Sequence, residues 1–166
     1  MRLEKILAGT VVRPHGVHGE LRVLPREGDP AFLMGLPRFY VDGTAYVPES
    51  VRVHKGFALV KLPGIDTMDA AEALRGRGLY FDRADGGDRP WYDDELLGME
   101  VRDGATGERL GEITAVEPYP ASKVLTVKGE HTYLIPAVED AFLLSVDLDA
   151  NRMEVRVWEG MAVDAD

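Results

Sequence analysis

Arg13, His15, His18 and Arg22 fall within one ten-residue stretch, interleaved with Gly16 and Gly19. Cationic and imidazole side chains on a glycine-rich stretch suit phosphate oxygens, and glycine N–H groups add further donors. Histidine is mostly neutral at pH 7, so Arg13 and Arg22 supply the permanent charge. A structural reading competes, in which the glycines serve only the geometry of a turn. His15, His18 and Glu20 have the composition of a metal site, but no further ligand is evident and we expect no metal.

A second constellation is Trp91-Tyr92-Asp93-Asp94-Glu95. The two aromatics either pack the two domains together or anchor a partner. Paired carboxylates can do acid–base chemistry, but that needs a pocket and a partner group, and the sequence supplies neither. A solvated face or a docking surface for a basic partner is the expectation. Asp147-Leu148-Asp149-Ala150-Asn151 begins like a calcium loop, yet Arg152 and Trp158 stand where that motif needs glycine and glutamate. We read it as a polar turn. Gly76-Arg77-Gly78 lacks the third glycine of a dinucleotide fingerprint, and no phosphate-loop, serine-hydrolase or zinc-protease motif occurs. The expectation is a binding module, without catalysis or cofactor.

The elements that must carry these residues follow from hydrophobic patterning. Lys5 to Val12 is an apolar run that reads as a buried strand, and Glu20 to Leu24 alternates as a half-buried one. Pro14 withholds an N–H and belongs in the turn between them. This predicts a compact loop with Arg13, His15 and His18 on its tip. Asp29 before Pro30 starts a single helical turn. Asp42-Gly43 and Gly56 divide two further strand pairs. The period changes from Ile65 to Arg75, where Asp66 or Thr67 caps a helix of about two to three turns and Gly76 ends it. Short strands, glycine turns and one short helix predict a small closed β-barrel over residues 1–84. Residues 85–90 are polar and turn-forming and read as a linker. Strands recur over residues 91–166 as a second small all-β unit, the last running from Asn151 to Trp158.

The chain has 166 residues, 45% of them hydrophobic, enough for one large domain or two small ones. No apolar run approaches the roughly 18 residues of a membrane span, and charges interrupt the opening residues as no secretory signal allows. The absence of cysteine removes disulfides and thiolate chemistry and suits a reducing cytoplasm. The net charge of −10 is unevenly divided: residues 1–84 carry 12 Lys and Arg against 10 Asp and Glu, residues 85–166 carry 7 against 19. An acidic half repels phosphate backbones and attracts basic proteins.

Gly16-Val17-His18-Gly19-Glu20-Leu21 resembles the N-terminal signature of the RimM family, the bacterial ribosome maturation factors. Where that family usually carries lysine or arginine, this chain has His18. Leu74-Arg75-Gly76 before a strand, the entry Trp91 to Val101, Leu134-Ile135-Pro136-Ala137-Val138 and Glu159-Gly160-Met161 resemble later family strings in the same order. The resemblance spans nearly the whole chain. It implies an N-terminal barrel similar to the second domain of elongation factor Tu, followed by a C-terminal PRC-barrel. It further implies binding to the immature small ribosomal subunit, assistance to head assembly, and small-subunit rRNA processing. The partner it implies is the nineteenth small-subunit ribosomal protein, a basic head protein. On this reading Arg13, His15, Gly16, His18, Gly19 and Arg22 face the ribosome or its rRNA. Trp91, Tyr92, Asp93, Asp94 and Glu95 take the ribosomal protein. The chain is then a cytoplasmic monomer that touches no membrane. A PRC-barrel adaptor of a membrane or photosynthetic complex is the alternative, but it leaves the first unit unexplained. An rRNA-processing nuclease is a third reading that lacks a catalytic constellation.

Overall fold

The computed structural model describes residues 1–158 and 160–164. The chain divides into two compact units, Leu3–Arg89 and Met1–Arg2 with Pro90–Asp166. Both are all-β.

Most of the strands follow the alternating or apolar runs of the sequence; what differs is where they end. In the first unit β1 (Lys5–His15), β2 (Glu20–Pro25), β3 (Phe39–Val41), β4 (Thr44–Tyr46), β5 (Ser50–His54), β6 (Phe57–Lys61) and β7 (Gly78–Asp82) form one sheet. Its order is β4-β3-β7-β1-β2-β6-β5, antiparallel throughout. The expected closed barrel is a half-barrel in its hydrogen bonding: among the described residues no ladder joins β4 to β5. A 3-10 turn, Pro30–Gly35, packs against β2, β5 and β6 and buries Leu33 there. Asp29 caps it, accepting from the Ala31 N–H at 2.8 Å. Phe39, Phe81, Leu21, Val23, Leu59 and Leu79 are fully buried, each contributing about 1.5–3 kcal/mol of burial.

The predicted loop of residues 13–19 begins as strand. β1 continues through Arg13 and Pro14 to His15, and only Gly16–Gly19 turns. Two things permit this. The β7 ladder stops at Thr10, so Pro14 lies on a free side of β1, where a missing N–H is tolerated. A bulge also falls at Val12, between the pairs Val11↔Val23 and Arg13↔Arg22. Side chains alternate with period 2, so an unbulged strand would set Arg13 against core-facing Leu21. The bulge instead puts Arg13 opposite Arg22. It is held by the segment after the first helix: Gly76 N–H donates to Val11 O at 2.8 Å, and Arg75 Nη1 to Val12 O at 3.0 Å.

That helix, α1 (Met68–Glu72), is shorter than predicted. Thr67 Oγ1 accepts from the Ala70 N–H at 3.1 Å as the cap, but Leu74, Arg75 and Arg77 close with i→i−3 bonds, so the end is a tight turn. The stretch read as a linker begins inside another 3-10 turn, Arg83–Gly86, and the Arg89 guanidinium pairs with Glu27 within the first unit.

The second unit holds a helix that sequence patterning missed, α2 (Asp93–Leu96), and six strands: β8 (Glu100–Asp103), β9 (Arg109–Pro118), β10 (Lys123–Lys128), β11 (Thr132–Pro136), β12 (Leu143–Asp147) and β13 (Arg152–Val155). Their order is β11-β10-β9-β8-β13-β12, with β13 and β8 parallel. Met99, Val101, Leu125, Val127, Ile135 and Met153 form its core. The last strand stops at Val155, short of Trp158, whose ring lies 5.6 Å from that of Phe142. Glu159 of the Glu159-Gly160-Met161 string lies outside the described residues.

Residues 162–164 return to β11. Val163 N–H donates to Thr132 O at 2.7 Å, and Asp164 takes the Thr132 N–H and meets His131 Nδ1 at 2.5 Å. The hydrogen bond to Asp164 raises the His131 pKa above its ordinary 6.5. A raised folded value means this contact is fully stabilising below about pH 6.5 and is lost as pH rises through the raised value. We expect NMR titration to place His131 above its Asp164→Asn counterpart, with Val163 amide protection falling on the alkaline side. An unchanged His131 titration in Asp164→Asn would refute the coupling.

Candidate nucleic-acid interface

One face of the first sheet gathers cations from β1, β2 and β5 around the buried Leu59. Leu21 and Val23 leave β2 on one side, so Arg22 between them leaves it on the other, the side of its partner Leu59. Arg13 is its direct cross-strand partner. On the far side of β2, Arg22 and Arg52 share Leu59 as register partner, one through each edge of β6. Arg52 reaches across β6 to clasp Glu20, Nε to Oε2 at 3.1 Å and Nη2 to Oε1 at 2.9 Å. Arg22 lays its guanidinium 4.1 Å from the centre of the Phe57 ring. His15 and His54 come together with ring centres 5.5 Å apart.

Like charges at directly opposed positions repel, and Arg13 and Arg22 accept that cost with the acid Glu20 nearby on β2. The Arg52 hydrogen bond holds the Glu20 carboxyl below its ordinary value, so it stays ionised and engaged. Burial, then the charges of Lys55, His15, Arg22 and Arg52, hold the His54 imidazole below its ordinary value. His54 is therefore neutral at pH 7, and the arginines with Lys55 carry the charge. The Arg22 Nε is buried and has no hydrogen-bond acceptor. The planar guanidinium fork binds carboxylate and phosphate oxygens through paired N–H donors.

The structure brings Arg13, His15 and Arg22 to one face, Arg13 and His15 on β1 and not on a loop tip, and adds Arg52 and His54, which sequence reasoning missed. Their signal was present in Val51-Arg52-Val53-His54, where alternation sets both on one face; that this face continues that of β2 is a fact of strand order alone. Gly16 and His18 lie on the turn, Gly16 with φ 73°. Gly19 has a packing role. It is buried with φ 95°, and a Cβ there would fall 1.9 Å from Ile65 O. The turn is thus seated on the chain just before α1.

The acidic constellation is corrected more strongly. Tyr92 and Asp93 are buried and Glu95 is 0% exposed. Glu95 Oε1 accepts the Tyr92 N–H at 3.0 Å, and Asp93 Oδ1 accepts from Lys123 Nζ at 2.8 Å. Three acids in the first turn of a helix are favoured by its dipole, and two of them turn inward to make these bonds. They are not a solvated docking face. Trp91 is half-buried and lines a groove of about 270 Å³ with Glu139, Asp140, Leu144 and Val146, beside the edge strand β12. Among the described residues no cluster of three or more acidic, histidine or cysteine side chains is placed to hold a metal. No described helix is long and apolar enough to cross a membrane.

Comparison with known proteins bears on both units. The model of the RimM N-terminal domain matches residues 6–86, and that of the RimM PRC barrel domain matches residues 93–161. Ribosome maturation factor RimM of Lactobacillus gasseri is 32% identical over 163 residues, covering 92% of this chain and 94% of its own. The chain belongs to the RimM family of ribosome maturation factors. The RimM of Acidothermus cellulolyticus is 34% identical over 160 residues, covering 91% of this chain and 89% of its own. The solution structure of the N-terminal domain of RimM from Thermus thermophilus is 26% identical, with a TM-score of 0.44, covering 50% of this chain and 94% of its own. The two RimM models meet this chain one on each β unit, the cationic face lying within the first and the Trp91 groove within or beside the second.

Proposed function

We propose that this chain binds the immature small ribosomal subunit in the cytoplasm and assists head assembly and rRNA processing without itself catalysing a reaction. The first unit faces rRNA through Arg13, Arg22 and Arg52, with His15 and His54 on the same face. The observation that carries this is Arg22: its Nε is buried without an acceptor among the described residues, on a face it shares with Arg13 and Arg52, and of these arginines Arg52 clasps Glu20. A buried donor left unmade costs about 1–3 kcal/mol, and a phosphate oxygen is the acceptor that this charge pattern selects. We expect Arg13→Ala to leave stability within about 0.5 kcal/mol. The double variant Arg13→Ala/Arg22→Ala should weaken co-sedimentation with precursor small subunits at least about tenfold and flatten its salt dependence. Wild-type association in the folded double variant would remove this face from the interface.

The second unit holds a basic head protein, the nineteenth small-subunit ribosomal protein. Its excess of acids supports this reading, as does the groove where Trp91, Leu144 and Val146 adjoin Glu139 and Asp140. An aromatic anchor beside carboxylates joins buried area to charge attraction. Calorimetry of the full chain with that ribosomal protein should show affinity falling with salt. Glu139→Lys/Asp140→Lys should weaken it at least about tenfold, and Trp91→Ala likewise, with folding checked by circular dichroism. Salt-independent affinity, or no change in the lysine variant, would sink the assignment.

A further inference from the structure

The other end of the first sheet carries a second feature that the cationic face does not use. A groove of about 450 Å³ lies among Lys5, Tyr40, Asp42, Arg77, Gly78 and Tyr80. It is built on β1, β7 and β3, whereas the cationic face continues from β1 through β2, β6 and β5. Tyr40 and Tyr80 are direct cross-strand partners, so their side chains leave the sheet on the same side. Tyr40 is fixed, its OH donating to Asp82 at 2.8 Å and Lys5 Nζ lying 4.2 Å from its ring centre. Tyr80 is 41% exposed. Gly78 leaves room for it: a Cβ there would lie 2.8 Å from Leu7 Cδ1 and 2.9 Å from Tyr80 Cε2, so a side chain would press on both.

Cations stand at both ends of this aromatic floor. Arg77 Nη1 donates to Asp42 at 2.8 Å, and Lys5 Nζ reaches Asp82 at 3.4 Å. Both pairs are exposed, and such pairs contribute little, so either cation can exchange its carboxylate for a phosphate at small cost. Asp42, once released, becomes an acceptor for an exocyclic amine.

We propose that this groove binds one nucleobase of single-stranded RNA, stacked on Tyr80, with the flanking phosphates at Arg77 and Lys5. Aromatic rings on adjacent strands with cations at the rim are how sheet surfaces hold unstacked bases. The volume is that of a small-ligand site and suits a single nucleotide. The choice of RNA over another planar anion rests on the reading of the chain as a factor that faces rRNA.

The test uses the full chain and a single-stranded hexaribonucleotide carrying 2-aminopurine, whose fluorescence is quenched by stacking. Wild type should quench it saturably at low salt. Tyr80→Ala should weaken binding at least about tenfold, the loss expected for one stacked base, and Tyr80→Phe should stay within about twofold because the ring remains. Gly78→Ala should weaken it too, by moving the ring. Thermal melting confirms that each variant is folded. Absence of quenching by wild type, or Tyr80→Ala binding as wild type does, overturns the groove as a base site. If subunit co-sedimentation still depends on Arg13 and Arg22 in that event, the rRNA-facing role of the chain stands and only the groove falls.

Discussion

Replacing Gly19 with valine is expected to destabilise the first unit by at least about 3 kcal/mol, because two penalties coincide there. The residue has φ 95°, a region closed to β-branched side chains, and its Cβ would sit 1.9 Å from the carbonyl oxygen of Ile65. Backbone cannot swing aside as a side chain would. Relief requires the Gly16–Gly19 turn to lift off the segment that leads into Thr67, the cap of α1. Gly16 provides the contrast. It also has positive φ, 73°, but no atom lies within 4 Å of its would-be Cβ. Gly16→Ala should therefore cost only the conformational term of about 1–2 kcal/mol. Amide exchange at Leu21 and Val23 is the suitable measurement. Equal protection in Gly19→Val and Gly16→Ala would show that the contact with Ile65 carries no weight.

The same stretch shows how far sequence reasoning reached. Alternation in Glu20 to Leu24 and the apolar run from Lys5 marked both strands, and Gly19 was marked for its backbone. The bulge at Val12 was not legible, because an inserted residue leaves the composition of a strand unchanged while reversing the face of everything after it. The fate of Pro14 was equally hidden. Proline is excluded from a paired edge, and only the length of β7 reveals that this edge is unpaired. Arg52 and His54 were visible as residues on one face of a strand; their place beside Arg22 needed the order β2-β6-β5. The acids of residues 93–95 misled for another reason. Charged residues are almost always solvated, and a helix of four residues is too short to show an apolar period that would mark an inward side. The helix cap at Thr67 was legible because one side chain and one N–H decide it, whereas the early end of α1 depends on the pull of β1 on Gly76.

Glu95→Ala is the second large effect, expected to destabilise the second unit by about 2–4 kcal/mol. The side chain is fully buried, and its Oε1 takes the Tyr92 N–H, one of the donors that a helix start leaves without a partner. Alanine would abandon that N–H beside a void in a packed region. Glutamine keeps an oxygen at the same reach, so Glu95→Gln should lose only about 1 kcal/mol if capping is the main role. If Gln costs as much as Ala, the negative charge itself is what this buried position needs. Asp149 is the control: its carboxylate is exposed and paired with Arg2, and Asp149→Ala should stay within about 0.5 kcal/mol. Tryptophan fluorescence during urea unfolding reads this unit. A Glu95→Ala midpoint equal to wild type would return Glu95 to the list of surface acids. The ranking also governs how binding data are read. A loss of ribosomal-protein capture in Glu95→Ala would follow from the unfolding of α2, and so would speak to stability. A loss in Glu139→Lys/Asp140→Lys, at side chains that line the Trp91 groove, would speak to the interface itself.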